Sequence, residues 1–310
     1  MSERGKVWRR RTVLKQAMGR GLIVAWGLAL LVAVPAATTA PSSRVPVVAA
    51  ENVYGDVVAQ LGGDHVLVTS IMSDPNVDPH AYETSAKDAA LIADARLVIQ
   101  NGIGYDAFID HLLVASPNPT RTVIVVAALT GHRDGDNAHL WYAPSTMPTV
   151  AHAVVDALSQ ADPRNAASYQ SRLKAFQESL QPLARLIAQI HDRYAGAPLA
   201  ATEPIFEYTA QALGLRILTP RAFMKAIEEG VDPSAAALAR MEDQLRTHQV
   251  KVLVYNTQTV SPITRRVRQL ADQVGIPVVG VSETEPPRKS FQQWMRGQLE
   301  ALDAALSSSK

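Results

Sequence analysis

From residue 47 to residue 281 the chain alternates short apolar runs rich in β-branched residues with segments of helical spacing, and one long helical segment cuts that alternation in two. The runs VVAA, HVLVTSIM, RLVIQNG and RTVIVVAAL precede the cut, and APLAAT, RILTP, VKVLVYN and IPVVGV follow it. Strands this apolar must be covered on both faces, and strands separated by helices pair in parallel. The fold class expected is therefore α/β: two lobes, each a mostly parallel sheet flanked by helices, joined by one long backbone helix. Local signals set the helix ends. Thr84 or Ser85 is the N-cap of ETSAKDAALIADA, Gly214 closes PIFEYTAQALGL, and Asp232 with Pro233 opens DPSAAALARMEDQLRTHQ.

The dividing segment runs from Asp162 to Tyr194. Tyr169, Leu173, Phe176, Leu180, Leu183, Ile187, Ile190 and Tyr194 recur at intervals of three and four, the stripe of an amphipathic helix. At about 1.5 Å per residue it reaches about 45 Å, enough to span both lobes. Pro182 lacks the amide hydrogen a helix interior needs, so a kink is expected there. The organisation expected is a signal peptide over residues 1–40, an N-terminal lobe over 41–161, the connecting helix over 162–195 and a C-terminal lobe over 196–310.

Composition narrows the class of function. Thirty basic and twenty-nine acidic residues nearly cancel in 310, and the positive charge gathers at the N-terminus, so nothing points to nucleic acid. Arg4, Lys6, Arg9, Arg10, Arg11, Lys15 and Arg20 precede the apolar run GLIVAWGLALLVAV and the small-residue stretch PAATTA, the order of a secretory signal peptide. The apolar run falls short of the roughly 20 residues of a membrane span. RRTVLK also resembles a twin-arginine export signal. With no cysteine there is no disulfide, no thiolate metal site and no lipid-modified lipoprotein cysteine, so a soluble periplasmic protein is expected.

Ligands of parallel α/β sheets bind beyond the carboxyl ends of the strands. The His, Asp and Glu residues just past strand ends are His80 in SDPNVDPHAYE, His139 in GDNAHLWYAP, Glu203 in ATEP, and Glu283 and Glu285 in GVSETEPP. Two imidazoles with one or two carboxylates suit a divalent transition metal. Pro79 and Pro204 stiffen two of these loops and Pro286 lies beyond a third. Taken one at a time, such residues are also ordinary surface groups. That reading fits His65, His111, His152, His191 and His248, on turns or helix faces, and Glu207, Asp78 and Glu83 as surface or supporting groups. His132 in TGHRDGD is an exposed turn or a loop that captures metal first.

The segments ENVYGDVVAQLGG, SDPNVDPHAYE, NGIGYDAFID, NAHLWYAP, ATEPIFEYTAQALGL and GVSETEPP with the later QWM occur in the order found in the zinc- and manganese-binding solute receptors of metal ABC transporters. The resemblance covers Val47 to Leu306. It implies a rigid two-lobed receptor with a four-ligand metal site in the cleft, carried over motif by motif to His80, His139, Glu203 and Glu283. Ala138 stands where the family often has proline, Ala143 where an Asp-Pro pair often starts the next helix, and the fourth ligand is commonly aspartate, which keeps Glu285 beside Glu283 as a candidate.

A set of two histidines and two glutamates leans toward manganese or ferrous iron, yet by the Irving–Williams order it would also hold zinc. The cargo expected is thus Mn2+ or Zn2+, with Fe2+ also accommodated, and the partners are a membrane permease and its ATPase, with the receptor a monomer. Two other readings use the same cleft. A receptor for an iron chelate or haem would want an aromatic or arginine-lined cleft, against 5% aromatic residues here. A metal-dependent hydrolase would need an open coordination position and a general base, for which Glu285 is the candidate.

Overall fold

The computed structural model describes residues 44–76 and 79–308, so the expected export segment, residues 1–40, and Asp78 lie outside the described residues. Four strands form the first sheet: β1 (Val45–Glu51), β2 (Val66–Met72), β3 (Leu97–Gln100) and β4 (Thr122–Val125), in the order β2-β1-β3-β4. Four more form the second: β5 (Pro198–Ala201), β6 (Arg216–Ile217), β7 (Leu253–Asn256) and β8 (Val278–Val281), in the order β6-β5-β7-β8. All pairings are parallel, with Val47 opposite Leu97 in one sheet and Leu253 opposite Val278 in the other. The two sheets thus share one topology. In each, the direction of winding reverses between the first and third strands, and the crevice that opens at such a reversal is where parallel sheets bind ligands.

The central strands β3 and β7 are buried at every residue, as their unbroken apolar runs require. The connecting helix spans Ala166–Tyr194 after a turn of 3-10 helix over Pro163–Asn165. Tyr169, Leu173, Phe176, Leu183 and Ile190 are its buried stripe, each contributing about 1.5–3 kcal/mol of apolar burial. It packs against Thr146–Ala161, Asn52–Gly62 and Phe291–Ser308. The helix runs unbroken through Pro182, whose ring faces solvent, so the missing hydrogen bond falls on the wet side. Both sheets and this helix lie within one compact unit, Ser42–Lys310.

Two local expectations shift, and one unassigned segment proves helical. The run RTVIVVAAL is strand only to Val125, because Ala127 N donates to Asn101 O and the chain turns into the short helix Val126–Thr130. The helix expected to open at Asp232 starts at Ala235, capped by Ser234, whose hydroxyl accepts from Ala237 N. The segment RAFMKAIE, unassigned from sequence, is the helix Arg221–Glu228. Ser85 is the cap of Ala86–Asp94 and forms a capping box with Asp88.

Candidate metal centre

Four loops reach the crevice. Pro79 opens a single 3-10 turn that carries His80. Tyr82 N returns to Pro79 O at 3.1 Å and Tyr82 Oη donates to Asp88 of the capping box at 2.9 Å, so the turn is fixed from behind. His139 precedes the buried turn Leu140–Tyr142 and is itself fully buried. Asn137 Oδ1 accepts from His139 N at 3.0 Å and lies 2.8 Å from its Nδ1. That contact puts the proton on Nδ1 and the lone pair on Nε2.

Glu203 stands two residues past β5, held extended (φ −145°, ψ 168°) ahead of Pro204, the conformation that proline imposes on its predecessor. Glu283 follows β8. Its backbone N and that of Thr284 both donate to Gln258 Oε1, at 2.6 and 2.9 Å.

The side chains converge. His80 Nε2 and His139 Nε2 each lie 3.4 Å from Glu283 Oε2. Asn256, the last residue of β7, donates through Nδ2 to Glu203 and, at 2.7 Å, to Glu283 Oε1, so one amide bridges the two carboxylates. Tyr105 Oη donates to Glu283 Oε2 at 2.7 Å, and its ring meets His80 and His139 edge-on at 5.2 and 5.9 Å. Tyr105 reaches there through the loop after β3. Gly102 has φ +84° in that loop, and a Cβ on it would come within 2.8 Å of Val125. The buried side-chain atoms without a hydrogen-bond partner include His139 Nε2 and Glu203 Oε1 at the convergence, and Glu285 Oε2 apart from it.

Glu285 does not join the histidines. Its backbone is clamped by Asn52, whose Nδ2 donates to Glu285 O at 2.8 Å while Oδ1 accepts from Glu285 N at 3.0 Å. Burial, then the charge of Asp56, push its carboxyl up to about 9. His132 pairs with Thr130 at 2.8 Å and packs on Tyr208. Glu207 accepts from Asn137 Nδ2 at 3.1 Å, which makes it a support of the His139 loop.

The acids differ in charge state. Burial, then repulsion from Glu283, push Glu203 up to about 7. Burial also works to raise Glu283, but with His139 and His80 protonated their hydrogen bonds and positive charges outweigh it and hold that carboxyl well below its ordinary range. The centre therefore has one firmly ionised carboxylate and one that titrates near neutrality.

Sequence reasoning missed Glu228, Tyr105, Asn137, Asn256 and Gln258. Asn256 had a signal, a lone amide ending an otherwise apolar buried strand. Glu228 had none from strand ends, since it sits one helix beyond β6. It lies 3.7 Å from His139 Nδ1 through Oε1, and its carboxyl is raised by burial, against which the charges of His139 and His80 act. Beside the centre opens a cavity of about 680 Å³ lined by His80, Tyr105, Asn137, Glu207 and Glu228 among others.

Comparison with known proteins bears on this arrangement. The family described as ZnuA, zinc-uptake complex component A periplasmic, matches residues 47–305. The metal ABC transporter substrate-binding lipoprotein ScbA of Streptococcus cristatus is 24% identical over 302 residues, covering 91% of this chain and 95% of its own. The iron-binding protein YfeA of Yersinia pestis is 24% identical over 254 residues, 77% of each chain. Among solved structures, the SBP FpvC from P. aeruginosa in complex with Ni2+ matches with a TM-score of 0.70 at 22% identity, over 86% of this chain and 97% of that one. A crystal structure of ZnuA matches with a TM-score of 0.68 at 20% identity, over 86% and 99%. These structural likenesses establish the shared fold.

Proposed function

This chain belongs to the ZnuA family of periplasmic metal-binding substrate-binding proteins, and from that membership we propose that it captures a divalent transition metal ion in the crevice between its sheets and delivers it to a membrane permease driven by an ATPase. The ligands proposed are His80, His139, Glu203 and Glu283. One observation supports three of them directly: His80 Nε2 and His139 Nε2 both stand 3.4 Å from Glu283 Oε2, and the Asn256 amide ties Glu203 to that carboxylate. Tetrahedral donors at about 2.1 Å from an ion lie about 3.4 Å from one another. The unpartnered His139 Nε2 and Glu203 Oε1 supply lone pairs that the protein itself leaves unused.

The cargo is Mn2+ or Zn2+, with Fe2+ accommodated by the same mixed nitrogen and oxygen set. Capture replaces the water shell of the ion with two neutral imidazoles and two carboxylates, while Asn256, Gln258 and Asn137 keep those groups aimed. Release requires only a modest shift between the lobes. Larger motion is opposed by hydrogen bonds that cross the crevice, Tyr142 Oη to Ser282 O and Asn137 Nδ2 to Pro204 O, each 2.7 Å. We read the protein as a monomeric receptor and not an enzyme; Glu285, the general base a hydrolase would use, is pushed up to about 9 by burial and the charge of Asp56 and so is protonated at neutral pH. Export through residues 1–40 and a soluble periplasmic life fit a sequence without cysteine.

Calorimetric titration of metal-free protein with Mn2+ and Zn2+ tests this. One ion per chain is expected, with His80→Ala and Glu203→Ala each weakening binding at least about a hundredfold. A wild-type protein that takes up no stoichiometric divalent ion overturns the proposal.

A further inference from the structure

Glu228 has no place in the four-ligand set, yet it stands among the ligands. Among the described residues, the group of metal-capable side chains whose donor atoms all lie within 4.8 Å of one another is His80, His139 and Glu228, without Glu203 or Glu283. The residues also divide by access. The side chains of His80 and Glu228 are 25% and 20% exposed and line the large cavity, whereas His139 and Glu283 are 0% exposed. His80 thus stands between an open carboxylate, Glu228, and a closed one, Glu283, to which Asn256 ties Glu203.

We propose that Glu228 forms, with His80, an outer docking position at the cavity wall, where an incoming divalent cation is first held before it moves inward to His139, Glu203 and Glu283. The inference rests on the reading of the inner set as the resident site. The local chemistry of Glu228 favours a ligand role over a structural one. It ends the helix Arg221–Glu228, where the partial negative charge of the helix terminus opposes a carboxylate and favours a cation. Its neighbour Glu229 is engaged by Lys225 at 3.5 Å, while Glu228 is turned to His139.

A two-step path also answers a physical difficulty. A hydrated cation cannot shed its whole water shell at once without a large cost, and Glu203 and Glu283 are buried while His80 and Glu228 line the cavity. Glu228 and His80 can replace the first waters at the cavity wall. Because His80 belongs to both positions, the ion then exchanges Glu228 for His139, Glu203 and Glu283 without leaving the protein. His139 keeps Nδ1 on Asn137 and turns Nε2 to Glu283, so it serves the inner position.

Rapid-mixing measurements with Mn2+ and Zn2+ on full-length mature protein, beside equilibrium titrations, test the proposal. Glu228→Gln should slow association and dissociation by a similar factor, about tenfold, the low end of what charges lining a cleft add to association. Because both rates fall together, its equilibrium affinity should drop no more than about threefold. Glu228→Asp should recover part of the rate, and Glu229→Gln, which removes the same charge next door, should leave it near wild type. Unchanged rates in Glu228→Gln, or equal slowing in Glu229→Gln, overturn the outer position. So does a loss of affinity as deep as that of Glu203→Gln with association intact, since Glu228 would then be a resident ligand. If wild type binds no ion, or Glu203→Gln binds as well as wild type, the inner site itself fails, whatever Glu228→Gln does.

Discussion

Asn256 holds Glu283 in place for the histidines: its Nδ2 donates to Glu283 Oε1 at 2.7 Å, leaving Oε2 to face His80, His139 and the Tyr105 hydroxyl, while the same nitrogen donates to Glu203. A carboxylate aimed by a fixed amide needs no reorganisation when an ion arrives. Asn256→Ala should therefore weaken metal binding about 10–100-fold and destabilise the metal-free protein by about 1–3 kcal/mol, the cost of buried acceptors left without a donor. Titration calorimetry and denaturant unfolding measure the two effects separately.

Proton release should accompany loading. Burial and then Glu283 push Glu203 up to about 7, so near pH 6 much of the population must lose that proton before Oε1 can ligate. Calorimetry in buffers of different ionisation enthalpy should find at least one proton released per ion near pH 6, from Glu203 with any from the two imidazoles added to it, and markedly fewer near pH 8. Imidazole must also be neutral to ligate, so affinity should fall steeply below about pH 6. An affinity flat from about pH 5 to 8 would sink the histidine assignment.

The same shift sets the stability of the metal-free protein. A carboxyl raised in the folded state favours folding while protonated. Its contribution is complete below the ordinary carboxyl range and is lost as pH rises through about 7 for Glu203 and about 9 for Glu285. Thermal unfolding of metal-free protein should therefore show a midpoint that declines from pH 5 to pH 8. Glu203→Gln should remove much of that decline, and saturating metal should offset it.

Glu283 and Glu285 should separate cleanly. Glu285 feels the charge of Asp56 and has Asn52 on its backbone, so Glu285→Gln should leave metal affinity within about threefold and raise stability at pH 8, where folding must otherwise take up a proton to keep this buried carboxyl neutral. Glu283→Ala removes the oxygen at which both imidazoles converge and should cost at least about a hundredfold in affinity. Parallel titrations of the two variants check this.

Much of this was legible in the sequence for reasons of periodicity. Val98, Ile99 and Val254 belong to apolar runs that only a doubly covered parallel strand can bury, and the stripe from Tyr169 to Ile190 fits only one long helix. His80, His139, Glu203 and Glu283 were visible as strand-end residues because topology fixes where strand ends gather. What escaped depended on side-chain reach. Asn256 ends its strand as a residue of no marked chemistry, and its role exists only because two carboxylates from other loops meet its amide. Glu228 is brought to His139 by a helix whose orientation no local pattern encodes. Asp232 looked like a helix cap, but Ser234 lies nearer the first free amides and takes that role.

The most direct measurement is anomalous scattering from crystals of the protein loaded with one equivalent of Mn2+ or Zn2+. A single peak within about 2.0–2.3 Å of donor atoms of His80, His139, Glu203 and Glu283 is the expected result. A peak held by Glu285 and Asp56, or no peak in crystals of protein shown to carry the ion in solution, would contradict the four-ligand centre.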